Sequence, residues 1–120
     1  MDFQYVLADL LSRVAGALGV LFLDYDGETV EALGCTNSIY DIKVLGAYQG
    51  IFLGQAKVFC QQQGLGTFEQ MVMKIGREKF LTISLPDGYY VTLILSDLAC
   101  EGQARRELQL AARKIAQILF

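Results

Sequence analysis

Gly19-Val20-Leu21-Phe22-Leu23-Asp24-Tyr25-Asp26-Gly27 holds most of what the chain says about its architecture. Val20 to Leu23 is a continuous apolar run, and Asp24 to Gly27 is turn chemistry. A short apolar run closed by Asp-Gly predicts a strand entering a hairpin. Glu28 to Leu33 is the return strand; it is more polar and therefore predicted at an edge. A strand apolar at every position needs cover on both faces. Helices on both sides of the sheet follow, a three-layer α/β/α sandwich of the α+β class.

The flanking segments supply those helices. Residues 2–15 carry Phe3, Val6, Leu7, Leu10, Leu11 and Val14 at spacings of three and four, one helical stripe. On the other side, Thr36, Asn37 and Ser38 offer N-cap side chains, with Asp41 three residues beyond Ser38 as in a capping box. A long helix is predicted from Ile39 to Gln63, stopping at Gly64. Three strands come next: Phe68–Ile75, then Phe80–Leu85 after the turn Gly76-Arg77-Glu78-Lys79, then Tyr89–Ser96 after Pro86-Asp87-Gly88. The segment 103–120 ends the chain as a helix with Ala104, Leu108, Ala111, Ile115 and Ile118 on one stripe, and Arg105, Arg106, Arg113 and Lys114 off it. These four cations read as a solvated face. The element order is α-β-β-α-β-β-β-α, and tight turns imply an antiparallel sheet. No linker, repeat or low-complexity segment divides residues 1–120, so they form a single domain.

Composition narrows the function. Hydrophobic residues are 53% and charged residues 19% of the 120, which excludes a disordered chain. A net charge of -3 gives no footprint for nucleic acid or for an anionic membrane. No apolar run is long enough for a membrane span, so no membrane insertion is expected. The start of the chain lacks a basic signal-peptide region. Cys35, Cys60 and Cys100 show no CxxC spacing, which suits reduced thiols in a cytoplasmic protein. With no histidine, Ser-His-Asp and Cys-His nucleophile systems and histidine metal sites are absent. No GxxxxGK[ST] or GxGxxG loop is present to cradle a nucleotide. Asp24, Asp26 and Glu28 match no calcium loop; a solvated hairpin tip accounts for them better. Asp97 and Glu101 suit the N-terminus of the last helix. The expected chain is non-enzymatic, with no cofactor and no metal.

The second helix is unusual. At about 100° per residue, Ile42, Leu45, Phe52, Ala56 and Phe59 share one arc, expected to be the core face. Val44, Ala47, Ile51 and Val58 share another on the opposite side, and Gly46, Gly50 and Gly54 lie between, with Lys43 and Lys57 alongside. Packing on a sheet needs one apolar arc, not two. Helical glycines cost about 1 kcal/mol each against alanine, which close approach of another backbone can offset. The second arc is therefore expected at the seam of a homodimer. The alternative is that this arc and the glycines pack under neighbouring loops of the same chain.

Taken together, these runs resemble the roadblock / dynein light chain family, which includes bacterial gliding-motility regulators of Ras-like small GTPases. The resemblance covers about 2–119. It rests on element order, on Gly19 to Gly27, on Gly88-Tyr89-Tyr90-Val91-Thr92-Leu93-Ile94-Leu95, and on Ala99 to Leu108. In that last run Cys100-Glu101 stands where the family usually has Asn-Leu, so the match there is partial. The resemblance implies a five-stranded antiparallel sheet of order 2-1-5-4-3 and a dimer built by the third strand and second helix. Val72 and Met73 then join Val44, Ala47, Ile51 and Val58 at the dimer interface, closing an edge that proteins avoid leaving open. It also implies a small GTPase partner, for which Lys43, Gly46, Gly50, Gly54 and Lys57 are the candidate contacts. Scaffold or motor-adaptor subunits, and small-molecule-sensing α/β/α domains, are the competing functional classes.

Overall fold

A cross-strand pair of glycines sets where the long helix can lie. The computed structural model describes residues 2–34 and 39–120, and the side chains of 39–41 fall outside that description. Thr36, Asn37, Ser38 and the Asp41 side chain, the expected capping group, therefore lie outside the described residues. The elements in chain order are α1 (Phe3–Arg13), β1 (Ala17–Leu23), β2 (Thr29–Gly34), α2 (Ile39–Gln62), β3 (Gln70–Ile75), β4 (Glu78–Ser84), β5 (Tyr90–Leu95) and α3 (Glu101–Leu119). The five strands form one antiparallel sheet ordered β2-β1-β5-β4-β3.

Local chemistry fixes the boundaries. Asp2 caps α1 by accepting from the Tyr5 amide at 3.0 Å. Asp24 Oδ1 accepts from the amides of Asp26 and Glu28, and Gly27 takes φ 83°, so the acidic tip is an Asx-type turn. Beyond α2, Gly64 adopts φ 67° and the Leu65 amide donates to the Cys60 carbonyl, closing the helix in a Schellman motif. The Pro86–Gly88 turn places Asp87 at φ 61°, a conformation aspartate tolerates better than most residues. Glu101 opens α3 and bonds Lys79 Nζ and Arg105 Nη2, each at 2.9 Å. The hydrogen bond and charge of Lys79 hold its carboxyl below the usual glutamate range, with Arg105 adding to the effect. Whatever stability this pairing contributes is present above the ordinary glutamate pKa of about 4.3. It is lost as pH falls through the depressed folded value.

The sheet has two unequal covers. Val6, Leu7 and Leu10 of α1, with Ala104, Leu108, Ala111, Ala112 and Ile115 of α3, pack on Val20, Phe22, Leu81, Val91, Leu93 and Leu95. Ile118, expected on the α3 stripe, is exposed. The opposite face is thinner: Ile42 and Leu53 of α2 join Leu21, Leu23, Phe80, Tyr90 and Ile94. Gly19 and Gly34 face each other across β1 and β2, and the Ile42 side chain fills the slot they leave. Through this slot α2 is seated over β2 and β1 and makes few contacts with the rest of the sheet. Met71 and Met73 of β3 are only partly buried beyond it.

Candidate interaction surface

The face α2 turns to the sheet differs from the expected one. Ile42, Gly46, Gln49, Gly50 and Leu53 are its buried residues. Two glycines do the seating. A Cβ on Gly46 would lie 2.5 Å from Thr29 Oγ1, and one on Gly50 would lie 1.9 Å from the Gly27 carbonyl oxygen. At Gly50 the approaching backbone is thus that of the chain's own β1–β2 hairpin, and at Gly46 it is the Thr29 side chain that closes in. Gly46 and Gly50 are consequently withdrawn from any partner. Gly54 alone of the three is open, with nothing within 4 Å of a Cβ placed on it.

Gln49 is the polar residue missed in the sequence. It is 2% exposed, and its Nε2 donates to Thr82 Oγ1 at 3.0 Å and toward Thr92 Oγ1 at 3.4 Å. The two threonines are directly opposed on β4 and β5, with their hydroxyls 2.8 Å apart. Replacing Gln49 by leucine leaves the threonine hydroxyls bonded to each other. Valine at both threonines takes away the acceptors of the buried Gln49 Nε2. The asymmetry of hydrogen-bond energetics predicts a loss of about 1 kcal/mol for Gln49→Leu and about 2–3 kcal/mol for the double threonine variant. Urea denaturation at fixed protein concentration measures both.

With the inner face turned this way, the outer face gathers Val44, Ala47, Tyr48, Ile51, Phe52, Val58 and Phe59, all exposed. Phe52 and Phe59, expected in the core, are 44% and 56% exposed. They lie on the flank of the expected second arc and widen it. The apolar stripe therefore runs opposite the buried one, along the length of α2. Soluble monomers rarely carry a patch of this kind without a use for it.

The open edge of β3 is the second component. Among the described residues β3 pairs only with β4 and ends the sheet. Met73 is opposite Phe80 and so shares the α2 face, whereas Val72 is opposite Leu81 and lies on the other face, exposed. The two residues thus flank the edge rather than forming one patch. Ile75 is exposed at the end of the strand.

The two lysines occupy different ends of α2. Lys43 is exposed beside β2, while Lys57 is half-buried with its Nζ 5.9 Å from the Tyr25 ring centroid. Among the described residues no three His, Cys, Asp or Glu side chains converge to hold a metal ion. No described helix is long and apolar enough to cross a membrane.

No protein-family model matches the chain, and no curated protein matches it. Solved structures do. MglB of Myxococcus xanthus superposes with a TM-score of 0.85 at 16% identity, over 98% of this chain and 94% of that one. A Roadblock/LC7 domain from Streptomyces avermitilis gives 0.84 at 14% identity, over 99% and 98%. MglC of Myxococcus xanthus gives 0.73 at 21% identity, over 98% of each chain. The sheet order and element order match the roadblock fold. At such identities the likeness establishes the fold: this chain has the roadblock fold.

Proposed function

We propose that this roadblock-fold chain is a non-catalytic homodimeric module that binds and regulates a Ras-like small GTPase. One observation carries the proposal: the apolar outer face of α2 and the open β3 edge are left unburied by the chain's own core. In a two-fold dimer each patch meets itself, so both are satisfied by one symmetric association. The GTPase follows from the resemblance to the gliding-motility regulators, a fold-level analogy rather than a reading of catalytic chemistry. The chain contributes surface, and its effect on a partner would be to bind one nucleotide state better than the other.

Lys43 and Gly54 are the remaining candidate contacts for that partner. Lys43 is an exposed cation on α2, and Gly54 is an open position on the same helix. Immobilised protein challenged with lysate from its source should retain a Ras-like GTPase, and retention should differ between GTP and GDP. Lys43→Glu should weaken that retention about tenfold, the size of one lost and reversed charge contact at a protein interface, without altering the melting temperature. Retention of no GTPase in either nucleotide state would leave a scaffold or motor-adaptor role as the better reading.

A further inference from the structure

Lys57 does not sit among the outer-face residues. It lines a cleft of about 260 Å³ together with Thr67, Phe68, Leu85, Pro86, Asp87 and Tyr90, among others. The cleft lies at the C-terminal half of α2, away from the glycine slot. We infer that it is a binding site for a small aromatic monocarboxylate, whose ring packs on Phe68, Pro86 and Tyr90 and whose carboxylate meets Lys57.

The walls argue for the ring. Phe68 and Tyr90 are stacked with centroids 5.4 Å apart and planes 7° apart, presenting a flat aromatic wall beside Pro86. A cavity of about 150 Å³ already holds benzene. The larger space here accommodates a ring with a short acidic arm. Apolar walls with a few converging polar groups are the usual composition of ligand sites.

The polar groups argue for the carboxylate. Tyr90 is only 4% exposed, lines the cleft, and bonds no described residue through its hydroxyl. Burial raises the tyrosine's pKa, which keeps the hydroxyl a donor at neutral pH. Lys57 supplies a charge-assisted donor, and the Thr67 and Ser84 side chains supply hydroxyls. The backbone amides of Ser84 and Leu85 are already engaged with the carbonyls of Glu69 and Tyr89. Asp87 is the one anion in the lining. Its repulsion is about twice as large for a phosphate dianion as for a monocarboxylate, which Lys57 can still pair.

The test involves neither a partner protein nor any GTPase. Phenylacetate titrated into the full chain should give saturable amide shifts centred on Lys57, Phe68 and Tyr90 in NMR spectra. Benzylamine, with the same ring and opposite charge, and inorganic phosphate should each bind at least about tenfold more weakly. Lys57→Met and Tyr90→Phe keep the stem and the ring, so both should fold with unchanged melting temperatures. Each should lose about tenfold in phenylacetate affinity, the worth of one hydrogen bond to a charged group. The proposal is overturned by the absence of saturable shifts up to about 10 mM phenylacetate. Equal binding of benzylamine or phosphate, or full affinity in either variant, would overturn it too.

Discussion

Gly50→Ala should destabilise the protein by about 1–2 kcal/mol, although alanine is the better helix former. Two effects oppose each other at this position. Removing a glycine from a helix interior is worth about 1 kcal/mol in favour of the variant. Against that, the new methyl carbon would lie 1.9 Å from the carbonyl oxygen of Gly27 and 3.1 Å from its Cα. The obstacle is backbone, in a turn whose Gly27 already requires φ 83° and whose register is held by Asp24. No flexible side chain can swing away. Either the hairpin or α2 must move by more than an ångström, and overpacking of this kind costs about 1–3 kcal/mol and occasionally more. The clash wins. Gly54→Ala is the internal control. It adds the same methyl to the same helix where nothing lies within 4 Å, so it should stabilise by about 0.5–1 kcal/mol. Chemical denaturation of both variants at one protein concentration checks the pair. Equal effects of the same sign would mean that the hairpin does not press on α2 at Gly50.

That contrast marks what the sequence could and could not disclose. The strands were legible because turn residues with a job separate them: Gly27 and Gly76 at positive φ, Pro86 fixing the start of the β4–β5 turn. Three-layer cover was legible from Val20 to Leu23, whose side chains are all fully buried. The strand order was implied by resemblance, since antiparallel hairpins alone do not say whether β1 lies next to β5. The rotation of α2 was not legible. Its apolar residues surround the helix, so periodicity could not choose between two nearly equal faces. The sheet chose the face with the smallest residues, because Gly46 and Gly50 let α2 sink onto the hairpin. Leu53 and Gln49 followed them inward, and Phe52 and Phe59 were left outside. The glycines suggested approach by another protomer's backbone; the chain's own hairpin takes that place, through its backbone at Gly50 and the Thr29 side chain at Gly46. Gln49 gave no signal, because a lone glutamine on a helix and two threonines on strands are each ordinary in isolation. Only the fold brings them within hydrogen-bonding distance.

Ile51→Asp should convert a dimer into single chains while leaving each chain folded. Ile51 is 56% exposed on the outer face of α2, with Val44, Tyr48, Phe52 and Val58 beside it. Its side chain takes no part in either core cluster. A carboxylate there is solvated in the isolated chain and costs it little beyond a small loss of helix propensity. In a two-fold seam the outcome is different. Full burial of such an aliphatic side chain is worth about 1.5–3 kcal/mol; Ile51 is 56% exposed, so about half of that remains to be gained, and the symmetry counts it twice, once from each protomer. The substitution removes both contributions and places two like charges near the axis in a site shielded from water, where each strongly disfavours the other. The combined loss exceeds what a seam of ordinary size can spare. Light scattering at matched concentrations should give a two-chain mass for the wild type and a one-chain mass for Ile51→Asp. Circular dichroism should show unchanged helix content. Leu53→Asp provides the contrast, since Leu53 is fully buried beneath the same helix and a charge there should unfold the chain outright. A one-chain mass for the wild type would place the outer face of α2 outside any self-association. A soluble two-chain Ile51→Asp protein would move the seam to the β3 edge alone.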